Sequence, residues 1–377
     1  AYAIAGVFVF LIMRALGEMV YVYPDTGSFA KFANDYIHPS FSFVTAASST
    51  FNWIIVGMSE VIAVGSYFKF WWPDLPSWIP GLAVVLILLS ANLVSVKWFG
   101  EFEFWFAAVK VVTIILMIIA GLGLIIFGIG NNFNPIGVSH LWDRGGFFTG
   151  GLSGFFFALS IVFGSYIGIE LIGITAGETK DPQKNIKKAV NGVIWRILIF
   201  YIGAIFVIVT VYPWDQLGNV GSPFVATFAK VGITIAAGLI NFVVITAAMS
   251  GCNSGIFSAS RMIYTLAQKG QMPKIFTRVM KNGVPFYPVL TIAIGILIGA
   301  LLNVILPLFI KGADSIFVYV YSASILPGMI PWFMILISHI RFRKLHPEQV
   351  ENHPFKMPGG AFANYLTIAF LILVLVP

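Results

Sequence analysis

The feature that most constrains this chain is a series of long apolar segments separated by short polar loops. A helix needs about 20 mostly apolar residues to cross the roughly 30 Å hydrocarbon core of a bilayer. The segments that come close to this length or exceed it are 1–21, 41–68, 78–96, 103–129, 149–176, 190–212, 232–260, 287–309, 315–339 and 361–377. They are continuous rather than alternating, and the strands of a membrane barrel would be about half as long. The sequence therefore predicts an all-α membrane protein with about ten transmembrane helices.

The composition also favours a lipid environment. Of the 377 residues, 59% are hydrophobic and only 10% are charged, whereas soluble domains carry about 25% charged residues. This excludes a soluble enzyme, a disordered chain and a nucleic-acid-binding protein, so the expected surroundings of the chain are a lipid bilayer. The single cysteine, Cys252, excludes an intramolecular disulfide framework and an all-cysteine metal site.

Lysine and arginine residues are concentrated in every second loop of the chain. The rich loops are 177–196, 261–286 and 340–360, each with several basic residues. The alternate loops carry one basic residue each: Lys69, Arg144, Lys230 and Lys311. Because basic loops stay on the cytoplasmic side, the first segment is expected to enter the membrane from outside. The protein is accordingly placed in the cytoplasmic (inner) membrane as a multi-pass protein.

The chain begins and ends inside apolar segments, and neither end has the pattern of a signal peptide. We therefore expect residues 1–377 to form a single transmembrane domain that is truncated at both ends. The stretch Ser222–Lys230 is apolar but too short to span a bilayer. It is expected to form a re-entrant or surface helix before the segment 232–260.

Ionisable side chains inside apolar segments are costly in lipid, so each one is a candidate for function. The candidates are Glu60, Lys110, Glu170 and the pair Arg14 and Glu18. Arg14 and Glu18 are one helical turn apart near the cytoplasmic end of the first segment, which predicts a structural ion pair. Two roles stay open for Glu60. It is either a structural carboxylate that is capped or exposed to water, or a residue of the binding site.

The fifth apolar segment combines small residues with a carboxylate. Gly164, Ser165, Gly168 and Gly173 surround Glu170, and each glycine costs about 1 kcal/mol relative to alanine in a helix interior. This predicts an interrupted helix, whose freed carbonyl groups and half-helix N-terminus would bind the two charged groups of an amino acid. Close packing of the small residues against a neighbouring helix is the alternative. The residues alone leave both open.

Lys110 lies in the fourth segment, seven residues after Glu103 and thus about 10 Å into the membrane. Its side chain could extend to the interface, which would be an ordinary structural role. We favour an amine that faces the helix bundle, where loss of hydration would let it exchange a proton near neutral pH.

The chain resembles the amino-acid permeases of the amino acid–polyamine–organocation superfamily over essentially all 377 residues. Four segments carry the resemblance in the family's order: LIMRALGEMVYVYPDTGSFAKFAND, KWFGEFEFWFAAVK, GSYIGIELIGITAGETKDPQKNI and CNSGIFSASRMIYTLAQKGQMPKIF. Within the family, DRGGFFTGGLSGFFFALS, Ser222-Pro223-Phe224 and NFVVITAAMSGCNSG look most like the D-serine/D-alanine/glycine permeases. The resemblance implies the leucine-transporter-like fold, with two inverted repeats of five helices. Of the family's twelve helices, this chain would hold the second to the eleventh.

The resemblance also implies roles for individual residues. Carbonyl groups around Gly164 and Ile167 would bind the substrate ammonium, and Glu170 would be the carboxylate at the end of the unwound segment. Lys110 would carry the coupling proton in place of a sodium ion. The family's aromatic gate is expected at position 164, which is glycine here. The candidate substrate contacts are therefore Glu60, Phe163, Gly164, Ser165, Tyr166, Ile167 and Gly168.

Other classes of membrane protein fit the sequence less well. An embedded enzyme would need a nucleophile with a base or clustered metal ligands, and the chain has neither an HExxH motif nor a phosphate-binding loop. None of the histidines is expected deep in a segment beside a carboxylate: His38, His140, His339, His346 and His353. We therefore expect no enzyme, no metal and no cofactor.

The predicted function is a proton-coupled symporter that imports small neutral amino acids such as glycine, alanine or serine, in either chirality. Its partners would be the amino acid, the proton and the lipid bilayer. The oligomeric state does not follow from the sequence. The alternatives are a permease for lysine or aromatic amino acids and a transporter-like nutrient sensor.

Overall fold

A computed structural model describes residues 1–25, 27–94, 96–177, 181–219, 223–230, 234–309 and 316–375. Outside this part lie Ser222, Lys311, residues 178–180 of the predicted loop 177–196, and the outermost residues of the predicted segments 232–260, 315–339 and 361–377. In the described ranges the chain folds into helices joined by turns, with one isolated β-bridge between Val279 and Pro285.

The first half of the chain forms helices α1 Tyr2–Val22, α2 Ser28–Tyr36, α3 Pro39–Phe68, α4 Trp78–Val94, α5 Val96–Phe127, α6 Gly151–Tyr166, α7 Leu171–Gly177 and α8 Pro182–Arg196. The second half forms α9 Ala204–Val211, α10 Pro223–Lys230, α11 Thr234–Gln268, α12 Phe286–Phe309, α13 Ile316–Leu345, α14 Pro347–Glu351 and α15 Gly360–Leu375. A π-helical stretch, Ile197–Gly203, joins α8 to α9. Short 3₁₀ turns occur at Ser139–Leu141, Trp214–Asn219 and Lys274–Thr277.

The described helices match the predicted apolar segments closely, and the prediction of an all-α membrane protein is confirmed. Within the described residues, 7 helical stretches are long and apolar enough to cross a membrane, and Trp78–Val94, Phe286–Leu302 and Gly360–Leu375 are shorter apolar helices. The count of about ten spans and the inverted repeat stay predictions. The short helix expected before α11 is present as α10, which packs against α5, α9 and α11.

Helix α3 lies at the centre of the bundle, where it contacts α2, α4, α11, α12 and α13. Glycines allow α12 to approach it closely. A Cβ atom added to Gly57 of α3 would lie 2.5 Å from Ile296 Cδ1, and one added to Gly299 of α12 would lie 2.5 Å from Met58 Cβ. In lipid, where apolar burial does not drive helices together, such close contact is a main source of helix association.

The Glu18 carboxylate ties α1 to α13 at one end of the bundle. Its side chain is fully buried, and it accepts hydrogen bonds from Arg343 Nε at 3.0 Å and Nη2 at 2.8 Å. The backbone amide of Met357 donates to the same carboxylate at 2.6 Å. The predicted ion pair between Glu18 and Arg14 is therefore wrong, because Arg343 from a distant helix occupies the carboxylate instead.

Arg14 makes a different set of contacts. Its guanidinium donates to Asn191 Oδ1 at 3.1 Å and to the Lys356 carbonyl, and it lies 3.7 Å above the ring of Phe355. These contacts join α1 to α8 and to the segment that precedes α15. They also bring the predicted loops 177–196 and 340–360 to the same end of the bundle.

Two histidines complete the surroundings of Glu18. His339 is fully buried and its Nε2 atom lies 3.3 Å from the Glu18 carboxylate, so the expectation that no histidine lies deep beside a carboxylate is wrong. Sequence spacing could not reveal this contact, since it joins α1 to α13. His353 Nδ1 accepts a hydrogen bond from the backbone amide of Phe355. The ring proton is then on Nε2, which donates to the Glu18 carbonyl. Burial lowers the pKa of His353, and the neutral ring fits both bonds.

We predict that Glu18→Gln destabilises the protein by about 3–5 kcal/mol, because the change leaves the partly buried Arg343 charge without its counterion. Asp35→Asn is the matched control, since the Lys31–Asp35 pair on α2 is 2.9 Å long but more than a third exposed on each side. That change is expected to cost less than about 1 kcal/mol.

The chain offers its own unfolding probe, because its single cysteine, Cys252, is 1% exposed. A thiol-reactive fluorescent dye labels such a buried thiol only when the protein opens, so a thermal ramp in detergent gives an apparent Tm. Equal Tm values for the two variants would contradict the structural role of Glu18.

Candidate functional site

The fifth apolar segment is not one helix. Helix α6 ends at Tyr166 and α7 begins at Leu171, so residues 167–170 are unwound. Gly168 has φ +102°, a conformation that glycine adopts without penalty and other residues avoid. The predicted interruption is confirmed. It is shorter than the glycine cluster suggests, because Gly164 and Ser165 belong to the last turn of α6 and Gly173 belongs to α7.

The carbonyl groups around the break differ in their partners. The Gly164 carbonyl accepts the amide of Ile167 at 3.2 Å. The Ser165 carbonyl accepts the hydroxyl of Tyr201 at 3.2 Å. The Ile167 carbonyl has no donor within the described part of the chain. Of the two carbonyls expected to bind an ammonium, the one at Ile167 is therefore open.

Glu170 holds the unwound segment in place. It is 1% exposed, and its Oε2 atom accepts the Gly168 amide at 3.0 Å and the Trp332 indole N–H at 2.9 Å. The first bond fixes the backbone of the break, and the second joins it to α13. The residue thus lies at the end of the break, as expected, and its partners explain how a carboxylate is stable there.

Two of the predicted substrate contacts, Phe163 and Tyr166, are part of the packed core. Phe163 is fully buried against Trp332 and Phe370, with ring centroids 6.0 and 5.9 Å away. The Tyr166 hydroxyl donates to the Tyr2 carbonyl at 3.2 Å. Their role as substrate contacts stays a prediction that no contact described here supports.

Other helices supply the aromatic rings beside the break. A Cβ atom added to Gly164 would lie 3.2 Å from the ring and hydroxyl of Tyr321. One added to Gly168 would lie 3.0 Å from Trp53 Cη2. Sequence reasoning missed both rings, because neither lies near the break in the sequence. The glycine at position 164 is explained by the tyrosine that takes the adjacent space.

Helix α3 also presents buried polar atoms to this region. Asn52 Oδ1 and Trp53 Nε1 have no hydrogen-bond partner within the described residues. Asn52 and Ile167 approach the same point, since a Cβ atom added to Gly328 would lie 2.8 Å from Asn52 Oδ1 and 2.4 Å from Ile167 Cδ1. Buried polar atoms are normally paired with protein, water or a ligand. Asn52, Trp53 and Ile167 are therefore suited to a small polar ligand.

A second polar group forms between α5 and α11. The Lys110 ammonium donates to Ser250 Oγ at 2.8 Å, and Ser250 Oγ donates to Glu103 Oε1 at 2.6 Å. Lys110 therefore faces a neighbouring helix instead of extending to the interface. Sequence reasoning missed Glu103 and Ser250. The seven-residue spacing of Glu103 and Lys110, two turns on one helix face, is the signal that could have revealed the first.

Glu60 belongs to the same region as Lys110. Its Oε1 atom lies 3.1 Å from the position of a Cβ atom added to Gly251, next to Ser250. An electrostatic interaction links its carboxylate to the Lys110 ammonium. The structure thus brings two residues together that the sequence analysis assigned to separate roles, since Glu60 was grouped with the substrate contacts.

A cavity of about 670 Å³ joins the break to the basic end of the bundle. Gly168 and Ile169 line its inner part, and Glu103 also faces it. Basic residues around it are Lys31, Arg196, Arg261 and Lys269. In the described ranges, no group of three or more His, Cys, Asp or Glu residues is arranged to hold a metal ion. The cavity is large enough for an amino acid with its water.

Comparison with known proteins places this site in a family. A model of the amino acid permease family matches residues 1–377. The chain is 66% identical over 376 residues to the "Probable threonine/serine transporter YbxG" of Bacillus subtilis (strain 168), covering 100% of this chain and 80% of that protein. It is 41% identical over 379 residues to the D-serine/D-alanine/glycine transporter of Escherichia coli (strain K12), covering 100% and 79%. The predicted resemblance is confirmed, and the Bacillus protein is the more similar of the two.

We predict that Gly168→Ala destabilises the protein by about 1–3 kcal/mol, because a side chain at φ +102° is strained and would press on Trp53. Gly192→Ala on α8 is the control: no atom lies within 4 Å of its added Cβ, and alanine favours a helix by about 1 kcal/mol. The apparent Tm from Cys252 labelling should fall for the first variant and stay or rise for the second. A Gly168→Ala protein as stable as its parent would show that the break does not require glycine.

Proposed function

The chain belongs to the amino acid permease family, and from this we propose that it is a proton-coupled symporter that imports small neutral amino acids by alternating access. The family and the names of the relatives indicate a transporter and not an enzyme. The observation that carries the finer proposal is the open Ile167 carbonyl in an unwound, partly buried segment, beside unpaired polar atoms of α3. In lipid, such a backbone is tolerated where it lines a cavity or is buried in protein.

The surroundings of the break favour a small substrate. Tyr321 beside Gly164 and Trp53 beside Gly168 place two aromatic rings against the break. The Ile167 carbonyl would accept the substrate ammonium, and Asn52 Oδ1 would accept a hydroxyl such as that of serine or threonine. This agrees with the names of two relatives, which refer to threonine, serine, D-serine, D-alanine and glycine. Serine, threonine, alanine and glycine are therefore the proposed substrates.

Lys110 is the proposed carrier of the coupling proton. When protonated, its ammonium binds Ser250 and so links α5 to α11, with Glu60 and Glu103 supplying the opposite charge. Loss of the proton removes that charge attraction and weakens the link between the two helices. The two helices could then move apart in the step that opens the site to the other side, which couples the proton to transport.

We further propose the membrane orientation and the repeat. The loops 177–196 and 340–360 meet through Arg14, and Arg261 lines the cavity with Arg196. Facing these basic segments towards the cytoplasm satisfies the positive-inside rule. Residues 1–377 would then form one transporter domain in the cytoplasmic membrane, built from the two inverted five-helix repeats of the leucine-transporter-like fold.

We predict that the full-length protein, reconstituted in proteoliposomes, takes up labelled L-serine, L-threonine, glycine or D-alanine in preference to L-lysine and L-phenylalanine. The reason is the pair of acceptors proposed for a small polar substrate, the Ile167 carbonyl and Asn52 Oδ1, together with the substrates in the names of the relatives. Preference for lysine or phenylalanine would contradict the proposed substrate class. Absence of both net uptake and counterflow would favour a sensor over a carrier.

We also predict that Lys110→Met abolishes accumulation driven by an imposed pH gradient while downhill exchange persists. Methionine retains an unbranched, mostly apolar side chain but cannot carry the proton. Lys69→Met is the matched control, because Lys69 is exposed at the end of α3. Accumulation is measured with the preferred amino acid in vesicles with an alkaline lumen or an acidic lumen. Parent-like accumulation by Lys110→Met would show that another group carries the coupling proton, and Glu170 would then be the leading candidate.

A further inference from the structure

The chain of hydrogen bonds that begins at Lys110 continues beyond Ser250 to Glu103. Lys110 Nζ, Ser250 Oγ and Glu103 Oε1 are joined by bonds of 2.8 and 2.6 Å. The second distance is in the range of a hydroxyl bound to an ionised carboxylate. A hydroxyl can accept a proton and donate its own in the same event. The arrangement is therefore a continuous path for a proton between two titratable groups.

The far end of this path lies at water-accessible space. Glu103 is among the residues that line the cavity of about 670 Å³. Its second carboxylate oxygen, Oε2, is buried and has no hydrogen-bond partner within the described ranges. A buried carboxylate oxygen without a partner is unusual in a structural ion pair, because the unmade bond is costly. The Glu103 carboxylate thus connects the hydrogen-bond chain from Lys110 to the cavity.

We propose that the coupling proton leaves Lys110 through Ser250 to Glu103, which releases it to water in the cavity. One N–H bond of the Lys110 ammonium breaks as the proton joins Ser250 Oγ, and the original hydroxyl proton moves to Glu103 Oε1. Lys110 becomes a neutral amine and Glu103 a neutral carboxylic acid. Glu103 then gives its proton to water and is ionised again. This inference rests on the proposed proton coupling at Lys110.

The other charged groups near Lys110 do not offer this route. Glu60 on α3 interacts with the Lys110 charge but is not among the residues that line the cavity. Its proposed part is to balance the ammonium. On α11 the charged residue is Arg261, which lines the cavity near Phe257. Of the other elements that pack against α5, the described parts of α4, α9 and the π-helical stretch carry no acidic or basic residue, and α10 carries one basic residue, Lys230, at its last position.

A matched pair of substitutions at Ser250 tests the relay. Ser250→Thr and Ser250→Val differ only in a hydroxyl against a methyl group, so any effect on packing is shared. Proton movement is followed with a pH-sensitive dye inside proteoliposomes of the full-length protein, and substrate exchange with labelled serine. Ser250→Val is expected to slow pH-driven accumulation and the dye signal at least about 10-fold, since aligned proton transfer contributes 10²–10⁴-fold. Its downhill exchange should persist, as in Lys110→Met.

Glu103→Gln provides a second measurement, because glutamine keeps the shape but takes no proton. It is expected to show the same loss of pH-driven accumulation with exchange retained. Ser90→Ala on the exposed face of α4 is the control and should behave as the parent. Equal accumulation by Ser250→Val and Ser250→Thr, or parent-like accumulation by Glu103→Gln, would overturn the relay. A parent protein that shows no pH-driven accumulation would overturn the proposed coupling itself, which separates the two failures.

Discussion

Unwound backbone at the depth of the hydrocarbon core is tolerated only where it is buried in protein or lines a cavity, so residues 167–170 depend on protein partners and on the cavity beside Gly168 and Ile169. Glu170 supplies one by accepting the Gly168 amide, and Trp332 holds Glu170 in turn. Tyr201, from the π-helical stretch, closes the other side by donating to the Ser165 carbonyl. Three helical segments are thus positioned by the need to satisfy one short break. The site exists because these partners leave one carbonyl, that of Ile167, unused.

Much of the fold follows from the sequence, because long apolar segments and basic loops are local properties. The residues of the fifth segment suggested the break, since glycine and a carboxylate are both unfavourable in a continuous apolar helix, but they left close packing of small residues equally open. The partner of Glu18 could not be predicted. Spacing rules examine residues one turn apart and suggested Arg14, whereas the actual partner, Arg343, lies 325 residues further along the chain. Only the packing of α13 on α1 decides that pairing.

The same limit applies to the site. Lys110 and Glu170 could be selected from the sequence because a charge in an apolar segment is conspicuous. Asn52, Trp53 and Ser250 could not, because uncharged polar residues are common in helices and gain meaning only from what lies opposite. Residues near the break in sequence can belong to the packed core, as Phe163 does against Trp332 and Phe370. A helix turns by 100° at each residue, so adjacency in the chain says little about a shared cavity.

The pairing of Glu18 with Arg343 has a consequence for how the protein is made. Arg343 lies 325 positions after Glu18, so at about 5–20 residues per second of synthesis it follows roughly 16–65 s later. During that time the carboxylate lacks the two hydrogen bonds from Arg343, and hydration is the other way to satisfy it. Glu18 lies near the end of α1, where this requires only a small displacement of the helix along its axis. The contacts that bury Glu18 therefore form late, once α13 has been made.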